Sequence, residues 1–535
     1  MATLIEQLLL TLKDHGAGEI YGIPGDYVIS IFRTIQDSKI LPLYTLSHEP
    51  AIGFAADGSA RFNKRISVAC VTYGAGALNI VNPIAGAYAE RVPIVVLSGS
   101  PAYKSVSKKL RMHHELKSPE AQFEVFKNIT CDQVRIDNIE RAPDEISKVL
   151  ESCLKHSRPV YIEISGDLYN ALSEKTPLSF AEDNLYSNPQ TPSLVDKTIR
   201  ILQEAKNPLI LLGYELERFG LEAKALKIAK SIGSNYLTCL MSRNISQVPC
   251  YKGRLGDNNI STIVTESDAI LMLGAIPIDA NFSPTLEEFK GKSTIFVSDN
   301  QLEINSLTYK GIHIKDFVDD LSKKTFSLTR VKHLELEEVY PSNLAETEEP
   351  ISSYDIIRGI NDAFAKYGKL PLAVDIGDSL ISSMRIDADK ILAPWFYGSM
   401  GYAVPAGLGI QTSSAQRPLI LLGDGDFQMT GWELCNCRKY GLDPIVVVFN
   451  NSSWGILNAI KTEASFNSIS ELNYAKIAED LGGTPYRVQT KKELKAALNK
   501  AFQTRGTFQL IEAILDCDTN NVGILSELSK IIKGR

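Results

Sequence analysis

The residues of this chain best equipped to do chemistry fall in a few short segments. One is Leu419-Ile-Leu-Leu-Gly423-Asp424-Gly425-Asp426, an apolar run that ends in Gly-Asp-Gly ahead of a helical pattern over 432–440. Another is the apolar run 445–449, which ends in Asn450-Asn451. In a parallel sheet both strands present their carboxyl ends on one edge, so Asp424 and Asn451 would point into one crevice. Two oxygen donors, a nearby backbone carbonyl and diphosphate oxygens suit Mg²⁺, which prefers substrate phosphates to an all-protein cage. Gly423 and Gly425 would let the backbone approach those phosphates closely. Gly-Asp-Gly reads as a turn, and alone it is more often a surface turn with a capping Asp than a site. The flanking apolar strands and the Asn-Asn that follows favour the metal site.

A second set of candidates is acidic or imidazole-bearing. Glu49, in Ser47-His48-Glu49-Pro50, opens a helical pattern over 49–63, where a lone Glu ordinarily serves the helix dipole. Asp26 closes the strand-like Tyr21-Gly-Ile-Pro-Gly-Asp26, and His113-His114 sit side by side. Adjacent histidines are most often a solvated pair, but with an Asp at a strand end they can move protons near neutral pH.

The elements that must position these groups alternate between helix and strand. Short apolar runs at 20–23, 41–46, 67–71, 94–97 and 160–164 read as buried strands, with helical patterns at 49–63 and 78–90 between them. The same alternation recurs with strands at 208–212, 234–239, 269–273 and 293–297, and again at 372–375, 418–422, 444–449 and 508–514. Such βαβ order predicts an α/β protein of three doubly wound parallel-sheet domains over 1–180, 190–330 and 350–535. The charged, poorly periodic stretch 331–350 reads as a linker.

Composition narrows the function classes. A net charge of -7, with no dense basic patch, argues against a nucleic-acid partner. No apolar run approaches the length of a bilayer span. Leu4, Leu8 and Leu12 form one helical stripe interrupted by Glu6, Lys13 and Asp14, which predicts an amphipathic first helix and a cytoplasmic protein. The eight cysteines are scattered, so reduced buried thiols are expected; Cys435 and Cys437 lack a matching pair for zinc.

Gly423-Asp424-Gly425 followed at Asn450-Asn451 resembles the signature of the thiamine-diphosphate-dependent 2-keto acid decarboxylases, and the resemblance extends over essentially the whole chain. It is nearest the phenylpyruvate and indolepyruvate branch. It implies pyrimidine-binding, middle and diphosphate-binding domains in that order. It also implies thiamine diphosphate with Mg²⁺, and non-oxidative loss of CO₂ from a small 2-keto acid through an adduct at the cofactor's C2. Asp424, Asn451 and the carbonyl of Ser453 are the implied metal ligands, and Asp426 and Asp378 fall where the family approaches the diphosphate. Glu49 would activate the cofactor through its aminopyrimidine. In Tyr397-Gly398-Ser399-Met400-Gly401, Met400 would support the cofactor's bend and the carbonyl of Gly398 would face the aminopyrimidine. Asp26, His113 and His114 would handle the product's protons. The resemblance further implies one site shared by two chains, hence a homodimer at minimum and a homotetramer as the usual form.

The pattern departs at Leu457, where many of these decarboxylases carry a Glu. Losing that carboxylate beside Trp454 predicts a roomier, less polar pocket, suited to aryl, branched or long aliphatic side chains. Three other readings compete. The first is a carboligase or lyase of the acetolactate-synthase or benzaldehyde-lyase type. The second is a nucleotide-binding middle domain, which lacks Gly-X-Gly-X-X-Gly. The third is a non-catalytic cofactor binder, which the intact Glu49, Asp424 and Asn451 oppose.

Overall fold

The computed structural model describes residues 2–106, 111–173, 186–245, 248–251, 258–276, 289–324, 326–328, 340–460 and 464–515. Its first helix, α1 (Leu4–Asp14), buries Leu4, Leu8 and Leu12 completely, as the stripe predicts. Thr3 and Glu6 close a capping box that satisfies the helix's first free N–H groups.

The chain forms two compact units, one of Met1–Leu154, Arg158–Ser179 and Tyr340–Arg535, the other of Lys155–Ser157 and Phe180–Val339. The first unit holds two six-stranded parallel sheets. In the N-terminal one the strands are β1 (Ile20–Gly22), β2 (Leu43–Thr45), β3 (Ser67–Val71), β4 (Ile94–Ser100), β5 (Asp132–Ile136) and β6 (Val160–Ser165), ordered 2-1-3-4-6-5. Two of its helices matter for the site, α2 (Glu49–Asn63) and α3 (Val81–Ala89). The second unit carries seven strands. They are β7 (Pro208–Leu212), β8 (Asn235–Cys239), β9 (Cys250–Tyr251), β10 (Ala269–Leu273), β11 (Ser293–Val297), β12 (Gln301–Ile304) and β13 (Leu307–Lys310), ordered 9-8-7-10-11-12-13. The C-terminal sheet comprises β14 (Leu372–Val374), β15 (Ile391–Leu392), β16 (Leu419–Gly423), β17 (Ile445–Asn450), β18 (Thr484–Val488) and β19 (Gln509–Ile514), ordered 15-14-16-17-19-18. The three-sheet α/β fold is therefore as expected, with β12 and β13 as an antiparallel addition to an otherwise parallel middle sheet.

The two six-stranded sheets share one strand order, so the halves of the first unit are repeats of one topology. Equivalent helices pack against each other between them: α2, which precedes β3, and α4 (Ala403–Ser414), which precedes β16. Glycines allow the backbones to touch. A Cβ on Gly58 would lie 2.5 Å from the Ala406 carbonyl oxygen, and one on Gly409 would fall inside the Ala55 carbonyl oxygen. Phe54 and Tyr402 meet edge to face at this seam, their centroids 5.7 Å apart.

Several boundaries differ from the sequence reading. The pattern over 78–90 is two helices, Ala75–Asn79 and Val81–Ala89. Gly-Asp-Gly is no turn: helix α5 (Asp424–Thr430) starts at Asp424, directly after β16. Of the stretch expected as a linker, 331–339 lies outside the described residues. From Tyr340 the chain is anchored: the backbone N–H groups of Asn343 and Leu344 bond Asp362, and Glu346, Glu348 and Glu349 pair with Lys495, Lys492 and Lys491. The cysteines among the described residues are all free thiols, and Cys517 lies outside them.

Candidate active site

At the carboxyl edge of the C-terminal sheet, β16 and β17 pair in parallel with Gly423 opposite Phe449. That register brings Asp424 against Asn451: the Asn451 N–H donates to Asp424 Oδ2 at 3.1 Å, and the Gly425 N–H to Oδ1 at 2.9 Å. The chain then folds back, Asn451 Oδ1 accepting the Ser453 N–H at 3.1 Å. Trp454 lays its ring against the N-terminus of α5, occupying the space a side chain on Gly425 would need. Leu457 lies one turn further, 44% exposed.

Burial raises the Asp424 carboxyl to about 6 despite its backbone donors. Asp426 is buried beside Asp375, and burial and that neighbour push it well above the carboxylate range. Its Oδ2 accepts the Gly423 N–H at 3.0 Å, whereas Oδ1 has no donor among the described residues. Asp375, also raised to about 6 by burial, accepts the N–H groups of Gly401 and Ala403 at 3.1 and 2.8 Å. None of the three carboxyls forms an ion pair among the described residues. A buried, oxygen-rich edge with an unpaired acceptor fits a hard divalent cation. Asp378 opens a short helix, Asp378–Ser383, and turns its carboxyl to the hydroxyls of Ser353 and Ser382.

Gly398 and Met400 lie on the loop between β15 and α4, where Gly398 adopts φ +71°. Thr430 at the end of α5 donates to the Gly401 carbonyl at 2.8 Å, tying this loop to the carboxyl edge of the C-terminal sheet.

In the N-terminal half the structure brings Asp26, His113 and His114 together. His113 Nε2 contacts Asp26 Oδ2 directly, and His114 Nε2 lies 4.0 Å from Oδ1. Slight burial opposes it, but the bond from His113, with those from the Tyr27 N–H and Thr72, holds Asp26 below its ordinary pKa. Tyr27 stacks on the His113 ring with centroids 4.8 Å apart. The loop closes over Gly74, whose φ of +68° and contact with the His114 carbonyl leave no room for a side chain. Glu49 stands at the first position of α2, half-buried, and accepts from Asn79 Nδ2 at 2.7 Å.

The comparisons agree with this layout. Residues 2–124 match the thiamine pyrophosphate enzyme N-terminal TPP binding domain, 195–319 the central domain and 375–513 the C-terminal TPP binding domain. The chain is 41% identical to the indole-3-pyruvate decarboxylase of Azospirillum brasilense over 99% of its own length and 98% of that protein's. The chain belongs to the thiamine-diphosphate-dependent 2-keto acid decarboxylases. More distant relatives are pyruvate decarboxylase 1 of Arabidopsis thaliana, 26% identical over 99% of this chain and 91% of that one, and a Neurospora crassa pyruvate decarboxylase, 27% identical over 96% and 94%. The protein is thus an enzyme that uses thiamine diphosphate to decarboxylate 2-keto acids, and the carboligase, nucleotide-binding and non-catalytic readings give way to it. Among the described residues no helix is long and apolar enough to cross a membrane.

Sequence reasoning missed the groups that hold these segments: Tyr27 and Thr72 around the histidines, Asn79 on Glu49, and the buried Arg61, Glu90 and Glu433. All three fall in helical patterns that carry other charges nearby, so nothing in the sequence marked them as buried.

Proposed function

We propose that this decarboxylase acts on aryl, long or branched aliphatic 2-keto acids in preference to pyruvate, at a Mg²⁺ site that two chains complete. The observation that carries the substrate preference is Leu457. It stands just beyond the Asp424–Asn451 edge, next to Trp454, and offers an exposed aliphatic surface. The decarboxylase of Azospirillum brasilense, named for indole-3-pyruvate, is consistent with it.

In this reading Asp424, Asn451 and the Ser453 carbonyl would hold Mg²⁺, which would offset the charge of the diphosphate. Gly423, Gly425 and the helix start at Asp378 let backbone N–H groups approach the same phosphates, while Asp426, behind them, braces the Gly423 amide. Met400 and the Gly398 carbonyl would position the cofactor, and Glu49 would hold or release a proton at its carboxyl group toward it. The bound cofactor supplies the electron sink for the charge left when CO₂ departs. Asp26, His113 and His114 then hand protons to and from the product, with the Asp26–His113 contact holding one proton in place. Phe396, Tyr397, Met429 and Trp432 are each 41–49% exposed on the C-terminal half, a large apolar content for a free surface. A second chain covering them would supply Glu49, Asp26 and the histidines to this edge.

The test is an aldehyde-coupled NADH assay with thiamine diphosphate and Mg²⁺, comparing pyruvate, phenylpyruvate, indolepyruvate and a branched-chain acid. Phenylpyruvate should exceed pyruvate in kcat/KM by about tenfold or more, since each buried CH₂ contributes about 0.8 kcal/mol. Leu457→Glu should narrow that gap. Pyruvate winning in the wild type would refute the pocket reading.

Metal dependence gives a second check. Asp424→Asn should raise the Mg²⁺ concentration needed for half-maximal activity by about 10–100-fold, because a neutral amide replaces an anionic ligand. An unchanged Mg²⁺ requirement would remove Asp424 from the ligand set.

A further inference from the structure

Each half of the first unit carries one of the segments proposed to handle the cofactor, and each segment is gripped by a buried glutamate from the other half. Glu90 follows α3 in the β3–β4 connection and is fully buried. Its Oε1 accepts the N–H groups of Phe396 and Tyr397, at 2.9 and 3.0 Å, within the loop that presents Gly398 and Met400. Its other oxygen pairs with Arg61 at 2.6 Å. Arg61 in turn donates to the Ala393 carbonyl at 3.2 Å and pairs with Asp57, which accepts from the Tyr402 hydroxyl at 2.8 Å. The loop over 393–402 is thus held at both ends and in its middle by side chains of the N-terminal half.

The reverse grip comes from Glu433, 3% exposed, in the β16–β17 connection, the equivalent crossover of the C-terminal half. Its carboxylate accepts the Ser47 N–H at 3.0 and 3.3 Å, two residues before Glu49. Asn436 Nδ2 orients it at 2.9 Å. Burial raises the Glu433 carboxyl above its ordinary value.

We infer that Glu90 and Glu433 are reciprocal positioning residues. Glu90 fixes the loop carrying Gly398 and Met400, and Glu433 fixes the approach to Glu49. Neither carboxylate does chemistry. Each replaces the hydrogen bonds a flexible loop would make with water, so the loop is formed before cofactor arrives. The inference rests on the cofactor roles proposed above for Glu49, Gly398 and Met400. A carboxylate aimed at backbone N–H groups in the core of a neighbouring half is otherwise a costly burial.

The test uses the full-length protein. In cofactor-free wild type, hydrogen exchange at the amides of Phe396, Tyr397 and Ser47 should be slow, although the Phe396 and Tyr397 side chains are exposed. Exchange there as fast as in a free loop would overturn the inference without any variant. Glu90→Gln should weaken thiamine diphosphate binding about tenfold, read by titrating the near-ultraviolet circular dichroism of bound cofactor, whereas Glu433→Gln should lower kcat with a smaller change in that affinity. Glu19→Gln is the control: Glu19 is equally buried, paired with Arg65 at 2.6 Å, and touches neither loop. If all three variants bind cofactor and turn over alike, the two glutamates are merely structural. If the wild type itself binds no thiamine diphosphate with Mg²⁺, the cofactor roles fail instead.

Discussion

Replacing Glu49 with Gln is expected to lower kcat by about 10²–10⁴-fold, the range ascribed to a positioned proton-transfer group. The substitution keeps the side chain's volume, its place at the first position of α2 and an oxygen able to accept from Asn79. What it removes is the ability to exchange a proton. Little stability should be lost, because Glu49 is half-buried and forms no ion pair among the described residues. A near-isosteric change outside the packed core of this kind stays within about 0.5 kcal/mol. Thiamine diphosphate affinity should change only a few-fold, since the residues proposed to hold the diphosphate, Asp424 and Asn451, lie on the other edge. The decisive comparison is single-turnover decarboxylation in cofactor-saturated wild type and Glu49→Gln. A loss below about fivefold would mean that another group activates the cofactor, since it falls far short of general acid–base catalysis. Asn79→Ala provides a graded case: it frees the carboxylate to move without removing it, and should act less strongly.

Why Asp424 and Asn451 could be placed on one sheet edge from sequence, while the groups that hold the neighbouring loops could not, is a matter of range. Four consecutive apolar residues before Gly423 and five before Asn450 mark buried parallel strands whatever else the chain does, and their carboxyl ends place Asp424 and Asn451. The same reasoning passed over Asp132–Ile136 and Thr484–Val488, which close the two sheets as edge strands and mix charged residues with apolar ones. It misread Gly-Asp-Gly as a turn, because Gly is a poor helix former; the Asp426 carboxyl returning to the Gly423 N–H lets the helix begin there. Glu90 and Glu433 belong to a third kind. Their partners lie 306 and 386 residues away, and no local period signals that a glutamate will receive backbone N–H groups from the other half.

The shared strand order of the two halves leads to the prediction with the largest effect on stability, Gly409→Ala. Helix propensity alone would favour alanine by about 1 kcal/mol. The packing decides against it. The new Cβ would fall on the carbonyl oxygen of Ala55, and that atom is backbone, so no rotamer change relieves the overlap. The mirror contact, Gly58 on Ala406, holds the two backbones equally close at a second point of the same seam. A destabilisation of about 2–4 kcal/mol is expected, the cost of overpacking a close-packed core plus the displaced helix contacts, read from the urea midpoint. Ser414→Ala, at the end of the same helix, should change stability by about 0.5 kcal/mol or less. The consequence extends to the site because Glu49 is the first residue of α2, and the loop carrying Met400 runs straight into α4. Forcing the helices apart displaces both segments proposed to handle the cofactor, so thiamine diphosphate affinity should fall along with stability. A Gly409→Ala protein as stable as wild type would mean that the two helices do not cross at their glycines. If it is less stable but binds cofactor unchanged, the seam holds the fold without setting the geometry of the site.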